Sequence, residues 1–252
     1  MREPVIVEIC VDSLESALAA QRGGAHRIEL CSGLIEGGTT PSAGLISSVR
    51  REISIPMFVM VRPRAGDFCY RNPDFETMKQ DVLTAKQLGA DGVVFGILRE
   101  DGRIDIERTR LLVDLARPLK VTFHRAFDMS RNLGESLEAV INAGPDRVLT
   151  SGGEARVEEG ISAVRALVQA AAGRVAIMAG AGITESNAQR VLAETGTREL
   201  HASTSMTVPS GMLYRNTRIS MGRVKGQEYQ YFAVSEEKVR SLVRAATDGL
   251  GN

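Results

Sequence analysis

The feature that most constrains this chain is a rhythm. A short apolar run, a polar turn and a stretch of about ten residues with apolar positions at helical spacing recur eight times. The runs are Val5–Val11, His26–Ser32, Pro56–Arg64, Gly92–Leu98, Lys120–Phe127, Arg147–Ser151, Arg174–Ala179 and Glu199–Ser203. Asp12-Ser13 caps a first helix through Leu14, Ala17 and Leu18, which Gly23-Gly24 ends, and Pro41-Ser42 opens a second. Further helices read from about Pro73 to Leu88, over Asp105–Ala116, Leu133–Ala143 and Val157–Ala171, and over Thr184–Ala193. Strands alternating with helices imply βαβ units and a parallel sheet, and eight of them predict an α/β fold of one kind, a closed (β/α)8 TIM barrel spanning 1–252 as one domain. The competing doubly wound sheet would open on a Gly-x-Gly-x-x-Gly turn. The first βα turn here is Val11-Asp12-Ser13-Leu14, and Gly180-Ala181-Gly182 comes only at the seventh strand, so no nucleotide cofactor is expected. Segment 204–227 is polar, carries Arg215, Arg218, Arg223 and Lys225, and reads as a lid, a subunit contact or a solvated excursion. Tyr229–Phe232 adds a turn, and an amphipathic helix follows at about 235–245.

Composition narrows the partners. Lys and Arg number 31 and so do Asp and Glu, so neither nucleic acid nor an anionic membrane surface is an expected partner, and a small molecule or ion is. No apolar run approaches the roughly twenty residues of a membrane span and no signal segment is evident, which reads as a soluble cytoplasmic protein. Three cysteines, Cys10, Cys31 and Cys69, without a Cys-x-x-Cys, indicate neither a disulfide framework nor a structural zinc site. Each cysteine taken alone reads as readily as a small buried hydrophobe.

In such a barrel, ligand chemistry belongs at the C-terminal ends of the strands. Those ends carry Glu8 with Cys10, Glu29 with Cys31, Arg62 with Arg64, His124 with Arg125 and Asp128 beyond, Ser151-Gly152-Gly153, Gly180 with Gly182, and His201 with Ser203; the fourth strand ends in a bland Phe95-Gly96-Ile97. Residues two apart on a strand share a face, so the Glu-x-Cys pairs of the first two strands present a carboxylate and a thiol on one wall. Glu8, Glu29, His124, His201 and Asp128 form a candidate acid–base set. Arg62, Arg64 and Arg125, the backbone of Ser151, Gly152, Gly153, Gly180 and Gly182, and Ser203 offer donors for a small anion. Any one member reads equally as half of a satisfied core ion pair. Together they define a site.

Glu-x-Cys, then Cys31-Ser-Gly-Leu-x-x-Gly-Gly-x-Thr-Pro-Ser with Gly37-Gly38 inside it, Arg62-Pro-Arg-Ala-Gly-Asp-Phe68, His124-Arg-Ala-Phe-Asp128 and Leu149-Thr-Ser-Gly-Gly153 closely resemble the CutC copper homeostasis family. The similarity runs from Val5 to about Phe232. The resemblance implies a cytoplasmic TIM barrel, often a homo-oligomer (dimer or tetramer), that binds copper; its implied Cu(I) ligands are Cys10 and Cys31. Two thiolates from adjacent strands suit Cu(I), and a linear site needs sulfurs about 4–5 Å apart. The glutamates, arginines and histidines suit a different class, a barrel enzyme that handles a small anionic metabolite by acid–base chemistry. A non-catalytic binding module is the third class. Whether the protein is an enzyme is open at this level, because this barrel hosts many unrelated activities.

Overall fold

The computed structural model describes residues 4–221 and 226–248; Arg223 and Lys225 of the long segment lie outside them. Eight parallel strands close into a barrel in sequence order: β1 (Ile6–Val11), β2 (Arg27–Leu30), β3 (Met57–Met60), β4 (Gly92–Phe95), β5 (Lys120–Phe123), β6 (Arg147–Thr150), β7 (Ala176–Ala179) and β8 (Glu199–Ala202), with β8 pairing back to β1. Helices α1 (Leu14–Arg22), α2 (Ala43–Glu52), α3 (Asn72–Gln87), α4 (Ile106–Ala116), α5 (Leu133–Ala143), α6 (Ile161–Ala171) and α7 (Ala188–Thr195) follow the first seven strands. The predicted (β/α)8 TIM barrel is therefore the observed fold, with strands shorter than the apolar runs; the runs Pro56–Arg64, Gly92–Leu98 and Lys120–Phe127 in particular continue past their strands into the loops at the C-terminal end.

Local chemistry accounts for the helix starts. Ser13, Ser42, Asp105 and Asn132 each accept a backbone N–H from three residues on, a side-chain cap that supplies one of the helix's unpaired first-turn donors. Buried faces such as Met78, Val82 and Ala85 of α3 or Val164, Leu167 and Ala171 of α6 then pack on the apolar outer face of the strands, forming the main core. Segment 204–227 is not all loop: β9 (Ser205–Pro209) pairs antiparallel with β10 (Gln230–Val234), where a turn was expected. The two strands are joined by a long connection, so no hairpin signal is present in the sequence. The Val234 N–H donates to Ser16 Oγ at 3.1 Å and fastens β10 to α1, and α8 (Glu236–Asp248) follows. Among the described residues no helix is long and apolar enough to cross a membrane.

The barrel interior differs from the usual layers of branched aliphatics. In the register Glu8 lies beside Arg27 and His201, and Cys10 beside Glu29, so the inward rows of β1, β2 and β8 are polar. Glycines make room for the large groups opposite. A Cβ on Gly92 would lie 2.6 Å from the Phe58 ring, one on Gly96 2.6 Å from His124 Nδ1, and one on Gly180 2.6 Å from Leu149 Cδ1.

Candidate functional site

The site begins at the floor of the barrel, where Arg147 of β6 forks onto Glu199 of β8 at 2.5 and 3.0 Å. Glu199 also takes Arg27 Nη2 at 2.7 Å, while Arg27 Nε bonds Glu8, and Glu8 Oε1 lies 2.8 Å from His201 Nδ1. The Phe58 ring lies 4.8 Å from the Arg27 guanidinium and 5.3 Å from that of Arg147. Buried charges persist only when paired, and here they alternate in sign from floor to mouth. Burial alone would raise the Glu8 carboxyl, but Arg27 and His201 outweigh it and hold its pKa at about 2. Burial opposes protonation of His201 as well, yet Glu29, Cys10 and Glu8 around it raise its pKa well above the imidazole range. His201 is thus an imidazolium at neutral pH.

Above this column lie the thiols. Cys10 Sγ and Cys31 Sγ are 3.7 Å apart, Cys31 Sγ is 3.4 Å from Glu29 Oε2, and His201 Nε2 is 3.8 Å from the same oxygen. The hydrogen bond between the two sulfurs brings the Cys10 thiol down to about 6 against its burial, with His201 assisting. The same bond, together with burial, pushes Cys31 well above the ordinary thiol value. Burial raises Glu29 to about 8, with Cys10 and Glu8 opposing its charge further even though His201 favours it. Two overlapping sets have donor atoms close enough to share one ion, all within 4.8 Å of one another: Cys10, Glu29 and Cys31, and Glu8, Glu29 and His201.

These groups form one wall of a cavity of about 280 Å³ whose lining also includes Met60, Arg62, Phe68, His124, Arg125, Leu149, Gly182 and Ser203. His124 ends β5 and caps the short 3-10 turn Arg125–Met129: its Nδ1 accepts the Ala126 N–H at 3.2 Å, which places the ring proton on Nε2. Burial, and then the Arg62 charge, bring its pKa down to about 3, so it is a neutral donor and not a titrating base near pH 7. Arg62 donates to the carbonyls of Glu36 (2.9 Å), Gly38 (2.6 Å) and Gly66 (2.9 Å) and stacks 5.1 Å over Phe68. It ties the loops after β2 and β3 together over the mouth.

Glu8, Cys10, Glu29, Cys31, Arg62, His124, Arg125, Gly182, His201 and Ser203 therefore meet at the C-terminal end of the barrel, Glu8 one step below the cavity. Other expected members stand aside. Asp128 accepts from Thr150 Oγ1 (2.5 Å), Ser151 N and Oγ (both 3.0 Å), Gly153 N (3.0 Å) and Arg125 Nε (2.8 Å), which makes it a loop anchor. The expectation that Ser151, Gly152 and Gly153 leave backbone N–H groups free for an anion is corrected by the same bonds, since the Gly152 N–H goes to Thr150 Oγ1 at 2.9 Å. Arg64 is occupied by Asp67, Asp74 and the Cys69 carbonyl and does not line the cavity, and Gly180 only clears space for Leu149 and His201. Sequence reasoning missed Arg27, Arg147, Glu199 and Phe68. The signal for two of them was present: Arg27-x-Glu29-x-Cys31 and Glu199-x-His201 run down the same inward rows.

The CutC family model matches residues 5–206. The copper homeostasis protein cutC homolog of Mus musculus is 49% identical over 246 residues, covering 97% of this chain and 90% of its own. The Homo sapiens homolog is 49% identical over 238 residues, covering 94% and 87%. A crystal structure titled as the putative copper homeostasis protein CutC from Streptococcus agalactiae superposes with a TM-score of 0.75 at 34% identity, covering 79% of this chain and 98% of that one. Thiamine phosphate pyrophosphorylase from Pyrococcus furiosus, at 19% identity and a TM-score of 0.59 over 98% of each chain, shares the fold alone. The motifs at the barrel mouth, the fold and these relatives agree, and the chain belongs to the CutC family.

Proposed function

We propose that this protein binds Cu(I) in the cytoplasm, holding the ion between Cys10 and Cys31 with Glu29 as a neighbouring oxygen donor. The observation that carries this reading is the pair of buried sulfurs 3.7 Å apart beside a histidine held as a cation. That separation is a little under the span of a linear pair and suits a bent site or one with a third donor, which Glu29 Oε2 at 3.4 Å from Cys31 supplies. Thiolates are soft donors that select Cu(I), and two of them around a monovalent ion leave one negative charge next to His201. The names of the mouse and human relatives support the same assignment. The test is a Cu(I) competition titration against a chromophoric chelator. Wild type takes up one ion per chain, and the Cys10→Ser, Cys31→Ser double variant, with an unchanged circular dichroism spectrum, takes up none. Full stoichiometry in that variant ends the metal assignment.

A second reading has its own support. Among the described residues Glu29 Oε1 and His124 Nε2 are buried without a hydrogen-bond partner, and a copper carrier has no need of them. An enzyme acting on a small anionic molecule does: Glu29 then transfers the proton and His124 polarises an oxygen. His124→Ala abolishes turnover on this reading while Cu(I) stoichiometry holds, and an unbiased metabolite screen that finds no turnover rejects it. The protein is further read as a homo-oligomer, a dimer or tetramer, because Met206, Tyr231 and Phe232 of the β9–β10 ribbon are exposed.

A further inference from the structure

Three cations inside the barrel, the buried Arg27 and the half-buried Arg147 and His201, each face a carboxylate within 4.0 Å. Arg62 does not. It is buried, with the residue 4% exposed, yet among the described residues its partners are three neutral carbonyls, and its Nε has no partner at all. A guanidinium cannot shed its proton in a protein, so this charge is permanent, and a buried charge without a counter-ion is costly. Next to it lies a second unpaired donor. His124 Nε2 carries the ring proton, is buried at 4% exposure and has no acceptor, and Phe68 joins the two residues, its ring 4.8 Å from that of His124 and 5.1 Å from the Arg62 guanidinium. Both residues line the cavity of about 280 Å³, near the lower end of the roughly 300–1,000 Å³ of ligand pockets.

We propose that the Arg62–Phe68–His124 wall is the binding site for a small oxyanion, a carboxylate or a phosphate group, whose oxygens accept from His124 Nε2–H and Arg62 Nε–H and whose charge balances Arg62. This gives the second functional reading a substrate class and rests on it only for the idea that an organic molecule enters the cavity. The rest of such a molecule would extend across the mouth towards Glu29 and the thiols, so the anionic group anchors one end while the other meets the groups that can transfer a proton. Copper at the thiols and an oxyanion at this wall use different side chains.

The experiment uses the full-length, copper-free protein at constant ionic strength with chloride as the reference anion. Acetate, pyruvate and inorganic phosphate are titrated separately while the side-chain N–H signals of Arg62 and His124 are followed by nitrogen-15 NMR and heats by calorimetry. The expected result is saturable binding of at least one probe that moves both signals; acetate or pyruvate alone identifies a carboxylate site, phosphate alone a phosphate site. His124→Asn keeps an acceptor for the Ala126 N–H but has no atom at Nε2, and it should weaken binding by about tenfold or more, the usual worth of a hydrogen bond to a charged group. No saturable binding by any probe, or binding that His124→Asn leaves unchanged, overturns the proposal. Probe binding that persists while a metabolite screen shows no turnover removes the enzyme reading and leaves this site standing.

Discussion

His124 and His201 share one cavity and hold different charge states, because burial and then the Arg62 cation keep one neutral, while Glu29, Cys10 and Glu8 outweigh burial and keep the other charged. Nitrogen-15 NMR at pH 7 should find His124 neutral with its proton on Nε2 and His201 as an imidazolium; a neutral His201 would break the account of Glu8 and Cys10. The linkage to stability has a definite sign. His124 binds its proton less readily folded (about 3) than unfolded (6.5), so below pH 6.5 the unfolded chain takes up protons the fold refuses and stability falls as pH falls. The slope is at most about 1.4 kcal/mol per pH unit. Glu29, raised to about 8, works in the opposite sense above pH 4.5, so the readable quantity is the difference between wild type and His124→Asn. Denaturant titrations between pH 6.5 and 4.5 should show wild type losing stability relative to the variant as pH falls, and parallel curves would refute the assignment. Glu8 adds a second acid loss lower down: its contribution is present above pH 4.5 and disappears as pH falls towards about 2. His201 has the reverse sign, its contribution being present below pH 6.5 and lost as pH rises through its elevated folded value.

At the scale of elements, strands four and seven matter for what they omit. Glycine at the inward positions Gly92, Gly96 and Gly180 lets Phe58, His124 and Leu149 occupy the barrel axis. Gly96→Ala should destabilise the fold by about 1–3 kcal/mol, the usual cost of overpacking, and displace the His124 ring; thermal melts and the His124 NMR signal report the two effects. An unshifted ring would show that the backbone yields first. The same strands show how far sequence reading reaches. The eightfold alternation of apolar runs and helical spacing was legible because both periods are local, and Glu8, Cys10, Glu29, Cys31, Arg62, His124 and His201 were legible because barrel chemistry sits at strand ends. Arg27, Arg147 and Glu199 lie one inward step lower, where packing is the default reading, and their pairing across β2, β6 and β8 depends on closure of the barrel. The spent N–H groups of Ser151, Gly152 and Gly153 were illegible for a related reason: Asp128, which takes two of them, comes from the loop after a different strand. β9 went unread because its partner lies across a long connection.

For the molecule as a whole, the exposed ribbon and the ionic barrel make separate demands. Met206, Tyr231 and Phe232 are 46%, 49% and 41% exposed, a share of apolar surface that a partner subunit would cover. Sedimentation velocity should show a homo-oligomer, and Tyr231→Lys with Phe232→Lys should shift it to monomer while the Cu(I) stoichiometry stays the same; a monomeric wild type would dismiss the ribbon as a contact. The barrel's demand is of another kind. Arg147, Glu199, Arg27, Glu8 and His201 alternate in sign from the closed end to the open one, so the electrical potential felt by the sulfurs is set partly by groups that never touch them. Replacing Glu199 with glutamine leaves Arg147 without a carboxylate partner and Arg27 with Glu8 alone, and the whole axis becomes more positive. The Cys10 thiol should then ionise at lower pH, visible in its ultraviolet thiolate absorbance, although the substitution is made at the opposite end of the barrel. An alteration remote from the mouth can in this way retune the ionisation of its thiols through the field of the charge column alone.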